Sequence, residues 1–162
     1  MHPAAARVRD ALRAHGLAGE VVELRASART AAEAAAACGV GVAQIVKSLV
    51  FLAGPEPILA LVSGANQADE ARLAALVGKP IRRADADAVR AATGFAIGGV
   101  PPVGHARTLR VLIDRDLLGY DRLFAAAGTP HTVFPVTPEE LCRVTGGQVA
   151  DIKRGGRDGG QP

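Results

Sequence analysis

Two apolar runs, residues 48–53 and 57–63, stand on either side of a Gly-Pro-Glu-Pro signal, and this arrangement constrains the fold more than any other feature of the chain. Short runs rich in Leu, Val, Ile and Phe with turn residues between them read as strands, and the pair reads as a central hairpin. Ahead of it, VAQIVK at 42–47 is compatible with one more helical turn. That leaves a single charge, Lys47, inside the otherwise apolar stretch IVKSLVF. An ammonium in such a place either snorkels to water along its own carbon stem or is kept for a ligand of opposite charge.

The other elements carry local signals. Val8, Ala11 and Leu12 share one helical face over 4–14, and Gly16 supplies the stop. EVVELR at 20–25 reads as a short strand. Thr30 and Glu33 then form a T-x-x-E capping box for an alanine-rich helix ended by Gly39. A helix is expected within 66–78, closed by Gly78, and another after the N-cap Asp85, with PIRR as a short strand between them. Strands follow at 109–114, 121–127 and 131–136, the last with Pro135 marking an edge. Thr137, Pro138 and Glu140 open a final capped helix, and GQVADI closes the fold as a strand. Strands that cluster in runs as well as alternating with helices indicate an α+β domain: a mixed sheet with helices against it.

With 162 residues, 49% of them hydrophobic, the chain can cover one core, and a single domain over 1–152 is expected. The polar, glycine-rich KRGGRDGGQP at 153–162 is expected to form a frayed basic tail. No uninterrupted apolar stretch approaches the length of a membrane span, and charges run through the first sixteen residues, where a signal peptide needs an apolar segment. The expectation is a cytoplasmic protein with no membrane partner. Cys38 and Cys142 lack companions at metal-ligand spacing and read as packing thiols. A formal charge of +3 permits an anionic partner without specifying one. Aromatic residues make up 3% of the chain and Trp is absent, which argues against a stacking surface for single-stranded nucleic acid, so any RNA contact should be local.

Motifs for a Walker loop, H-E-x-x-H, C-x-x-C and G-x-S-x-G are all missing, so chemistry must fall on backbone groups and a few polar side chains. The segment GFAIGGVPPVGH is the most unusual: Gly98 and Gly99 remove bulk, while Pro101 and Pro102 fix the path and donate no N–H. It is either a ligand-facing loop or a tight structural turn. His105 beside it is a candidate base or a hydrogen-bonded structural histidine. Ser63 and Asn66 follow a strand at a helix start, where backbone N–H groups favour anions or where Asn66 simply caps. Gly128, Thr129 and His131 repeat this polar-turn pattern between two strands, for which hairpin geometry is a sufficient explanation.

Taken together, RTAAEAA, QIVKSLVF, LVSGANQADEARLAALVG, TGFAIGGVPPVGH, LIDRDLL and AAAGTPHTVFPVTPEEL resemble, in order and spacing, the YbaK and prolyl-tRNA-synthetase-associated editing family from about residue 5 to 152. The resemblance implies an α+β domain built on a mixed, barrel-like sheet flanked by helices. It also implies hydrolysis of mischarged aminoacyl-tRNA, chiefly tRNA for proline carrying Ala, Ser, Cys or 2-aminobutyrate, with no cofactor or metal. Lys47, Gly98 and Gly99 would then carry the catalytic role. Val100, Pro101, Pro102, His105, Ser63, Asn66, Gly128, Thr129 and His131 would face the substrate. The terminal ribose of the tRNA would help place the water. Such a free-standing factor borrows its specificity from prolyl-tRNA synthetase or reads the acceptor stem itself, as a monomer or a homodimer. The alternative is a non-catalytic tRNA or amino-acid binding module of the same fold.

Overall fold

The computed structural model describes residues 1–155. Five helices, α1 (Pro3–Ala14), α2 (Ala31–Cys38), α3 (Glu70–Val77), α4 (Ala86–Thr93) and α5 (Pro138–Thr145), pack on one mixed sheet. Its strands are β1 (Val22–Glu23), β2 (Ile45–Ala53), β3 (Glu56–Ser63), β4 (Arg82–Arg83), β5 (Arg110–Asp114), β6 (Leu123–Ala126), β7 (Thr132–Val136) and β8 (Gln148–Ala150). They run in the order β1-β7-β6-β2-β3-β5-β8, with β4 added to the side of β2. Pairs β2/β3, β2/β4, β6/β7 and β1/β7 are antiparallel, while β2/β6, β3/β5 and β5/β8 are parallel. The expected α+β fold with a mixed sheet is what forms.

The central hairpin is β2/β3, in register from Val46↔Ser63 to Ala53↔Glu56. Gly54 takes the first turn position at φ +62°, the positive φ that lets a two-residue loop follow the twist of its strands. One expectation is corrected at its entry: residues 42–44 form a single 3₁₀ turn, and β2 already begins at Ile45. Adjacent β-branched Ile45 and Val46 suit opposite faces of a pleated strand, so Lys47 lies within the strand rather than before it. The strands expected at 20–25 and 121–127 are shorter, because their ladders extend only where β7 runs alongside. Pro135 pairs with Phe124 on one side, and on its other side the two-residue β1 reaches only Val133 and Thr132.

Both faces of the sheet are covered. Val46, Val50, Leu59, Leu61, Val111 and Ile113 pack under α1, α4 and α5. The alternating residues Phe51, Ile58, Ala60, Val62 and Leu112 pack under α3, and Ile45, Phe124 and Val133 under α2. Within β2, Lys47 and Ser48 alone belong to none of these clusters. The capping boxes of Thr30 with Glu33 and Thr137 with Glu140 form as expected, as do the Asp85 cap and the left-handed Gly39 and Gly78 ends.

Cys38 and Cys142 pack against these clusters while partly exposed, and burial pushes both thiols up from their ordinary pKa. Lys153 and Arg154 are tied down, the first bridging to Ala68 and the second donating its N–H to Gln67. The rest of the expected tail, from 156 on, lies outside the described residues. No helix among the described residues is long and apolar enough to cross a membrane.

Candidate functional site

The sheet has a gap. β6 pairs with β2 at Ile45 and Val46, and β4 pairs with it at Phe51 and Leu52. Between these points β2 has no strand partner on that side. A cavity of about 460 Å³ opens there and is walled from both faces of the sheet. Ala31 and Ala34 of α2 form one flank, and Val89 of α4 with Ala84 and Val100 forms the other. The two polar residues of β2 sit at the gap, so the strand is polar where it is unpartnered.

The walls carry three cations, Lys47, Arg29 and Arg83, and no Asp, Glu, His or Cys. Arg83 lies over the Phe51 ring at 5.4 Å from its centroid. Arg29 lies over Gly98, where a Cβ would stand 3.3 Å from its Cγ. Lys47 is half-buried and its Nζ donates to the Asn66 carbonyl. Burial holds the Lys47 amine below its ordinary pKa; the nearby Asp114 carboxylate opposes this and Arg83 adds to it. A site of this kind favours an anion, and no protein carboxylate on its walls competes for the charge.

Gly98 and Val100 join Lys47 on the cavity wall. The other residues singled out from the sequence stand behind it. Gly99 accepts from the Gly128 N–H at 2.9 Å, and a Cβ on Gly99 would come within 2.8 Å of the Gly128 and Thr129 backbone. Glycine is required there because two backbones touch. Pro101 and Pro102 are buried. His105 Nε2 donates to the Pro101 carbonyl at 2.6 Å, clasping the loop, and burial lowers its pKa. The Thr129 and Thr132 hydroxyls bond each other at 2.8 Å, which braces the turn that supports Gly99, while His131 is exposed. Ser63 donates from Oγ to the Ala43 carbonyl at 2.8 Å, and Asn66 stands off the cavity wall, its carbonyl accepting from Lys47 Nζ.

Three wall residues escaped the sequence reading: Arg29, Arg83 and Ser48. Ser48 Oγ is buried in the wall without a hydrogen-bond partner, the one such side-chain atom among the described residues. The signal was present as two consecutive polar residues, Lys47-Ser48, in an apolar run. The arginines gave none, since each belongs to an ordinary polar segment beside a short element. Ile97 also lines the cavity with over half its surface exposed, 56%.

Residues 25–144 match the aminoacyl-tRNA editing domain. The chain belongs to that family. A relative in Bacillus subtilis (strain 168), YwhH, is 32% identical over 75% of this chain and 78% of its own length. The proline–tRNA ligase of Nitratidesulfovibrio vulgaris (strain DP4) is 38% identical over 57% of this chain, which spans 16% of the ligase. A crystal structure described as "a putative trans-editing enzyme for prolyl tRNA synthetase" superposes with a TM-score of 0.92 at 53% identity, covering 96% of this chain and 99% of that one.

Proposed function

We propose that the chain is a trans-editing deacylase that hydrolyses the aminoacyl ester of tRNA, above all tRNA for proline carrying Ala, Ser, Cys or 2-aminobutyrate. The observation that carries the reading is the make-up of the cavity wall: three cations, no acid, and no base beside its hydroxyls. A serine or threonine nucleophile needs a base in hydrogen-bond contact, whereas Ser48 Oγ has no partner and Thr30 Oγ accepts from the Glu33 N–H. An ester is already activated, so holding it against an oriented water supplies much of the barrier reduction. Lys47 meets the anionic end of the substrate, and the main chain of Gly98 and Val100 presses on the aminoacyl group. The water oxygen bonds to the acyl carbon, the bond from that carbon to the ribose oxygen breaks, and the ribose oxygen leaves with a proton. The small apolar flank of Val50, Ala84, Val89 and Val100 admits small side chains. A single methylene is worth only about 1–3 kcal/mol in such a pocket, which is why a separate editing site is useful.

The test is deacylation of tRNA for proline charged in turn with Ala, Ser, Cys and 2-aminobutyrate, by the intact protein and by Lys47→Ala. Turnover of at least one substrate that falls about a hundredfold or more in the variant supports the reading. Tight tRNA binding with no turnover of any of the four would establish a binding module instead.

A further inference from the structure

One buried charge lies outside the cavity wall and outside the chemistry above. Asp114 closes β5 with 1% of its surface exposed. A carboxylate this deep is costly to bury unless its oxygens are well met. Its partners are three neutral donors: the Ser63 N–H at 3.0 Å, the Asp116 N–H at 3.0 Å and Asn66 Nδ2 at 2.9 Å. Among the described residues no Lys, Arg or His lies within ion-pair distance of it.

The strand register places Asp114 with respect to the lysine. Lys47 stands opposite Val62 across β2/β3, and Leu61 stands opposite Ile113 across β3/β5, so Val62 and Asp114 are the next step of that ladder. Lys47, Val62 and Asp114 therefore form one cross-strand row on the same face of the sheet. Asn66 spans the row: its side-chain amide donates to Asp114, and its carbonyl accepts from Lys47 Nζ. Its amide also donates to Asp116 Oδ2 at 2.9 Å, which Lys153 meets at 2.9 Å from the far side.

We propose that Asp114 is a positioning residue for Lys47: acting through Asn66, it fixes the carbonyl that receives the lysine amine and so keeps that amine aimed into the cavity. The inference rests on the role given to Lys47 above. It also accounts for the first of the two acids in LIDRDLL, which needs no exposure to substrate. The charged groups around Lys47 are Asp114 from β5, Asp116 beyond it, Arg83 from β4 and Arg29 ahead of α2.

Lys47, Lys79 and Lys153 are the chain's lysines, so a side-chain NMR titration of isotope-labelled lysine resolves each amine. Asp114→Asn should move the Lys47 titration to lower pH, because it removes a negative charge that favours the ammonium. Deacylation should fall about tenfold or more in Asp114→Asn and in Asn66→Ala, yet by less than about twofold when either is added to Lys47→Ala. Asn66→Ala keeps the backbone carbonyl and loses only the bridge, so it carries the test if Asp114→Asn does not fold. An unmoved titration in a folded Asp114→Asn, or losses that multiply in the Lys47→Ala background, would overturn the proposal. Full activity of Lys47→Ala would sink the catalytic reading instead, and the Lys47 titration in Asn66→Ala, which keeps the Asp114 charge and loses only the bridge, would still decide whether the bridge holds the amine.

Discussion

Gly99 and Gly128 lie backbone to backbone: the Gly128 N–H donates to the Gly99 carbonyl across 2.9 Å, and no Cβ fits on the facing side of Gly99. The contact docks the loop that carries Gly98 and Val100 onto the β6–β7 turn. That loop is one flank of the cavity, so its position is set by a contact between residues that do not line it.

Gly99→Ala should therefore separate the loop from its support. Overpacking of this kind costs about 1–3 kcal/mol, readable as a lowered midpoint in urea. A displacement on the order of 1 Å at the substrate would lower kcat/KM about a hundredfold with tRNA binding largely kept. Unchanged kcat/KM in a folded variant would show that the loop does not need this anchor.

Ser48→Ala should act in opposite directions on folding and on turnover. The wild-type hydroxyl is buried without a partner, so its removal should leave stability unchanged or slightly raised. If the hydroxyl is completed by substrate, kcat/KM should drop by the worth of one neutral hydrogen bond, about 0.5–1.5 kcal/mol or up to roughly tenfold. A denaturation curve and a deacylation assay on the same preparation decide it. Undiminished kcat/KM would remove Ser48 from substrate recognition.

Arg29 and Arg83 frame the cavity without carboxylate partners among the described residues. On the proposed reading they meet phosphates of the single-stranded acceptor end. Each Arg→Ala change should weaken tRNA binding at low salt and reduce the slope of log K against log salt by about 0.7. Binding measured across a salt series checks this, and an unchanged slope in the double variant would place the tRNA elsewhere.

How much of this was legible in the sequence depended on whether a signal was local. The β2/β3 hairpin was readable because its apolar runs and turn are contiguous, and the helix ends because Thr30 with Glu33 or Asp85 with Ala88 satisfy each other within one turn. Lys47 stood out for the same reason. The gap beside it did not, since it exists only because β6 and β4, from distant parts of the chain, each stop short along β2. The bond from Asn66 to Asp114 spans 48 residues, and nothing near either residue announces it. The glycines and prolines of 98–102 were conspicuous, but composition could not say that Gly98 faces the cavity while Gly99 faces Gly128. Those roles follow from the tertiary neighbours of each residue.

Lys47 should cost the fold stability that its function requires, and the cost should depend on pH with a definite sign. Burial lowers its pKa in the folded state below the ordinary lysine value of 10.5, so at neutral pH the unfolded chain holds this proton more tightly. The penalty is fully present below the folded pKa. It fades as pH rises toward 10.5, where the amine is losing its proton in both states. Lys47→Met, close in length and uncharged, removes the titration. The stability of the variant relative to the wild type should therefore be greatest near neutral pH and shrink steadily as pH is raised, while deacylation is lost throughout. Urea denaturation of both proteins at several pH values between 7 and 10 measures the difference. A difference that widens with pH would mean that the carbonyl of Asn66 and the charge of Asp114 together outweigh burial, and that the folded protein holds this proton more tightly than the unfolded chain does.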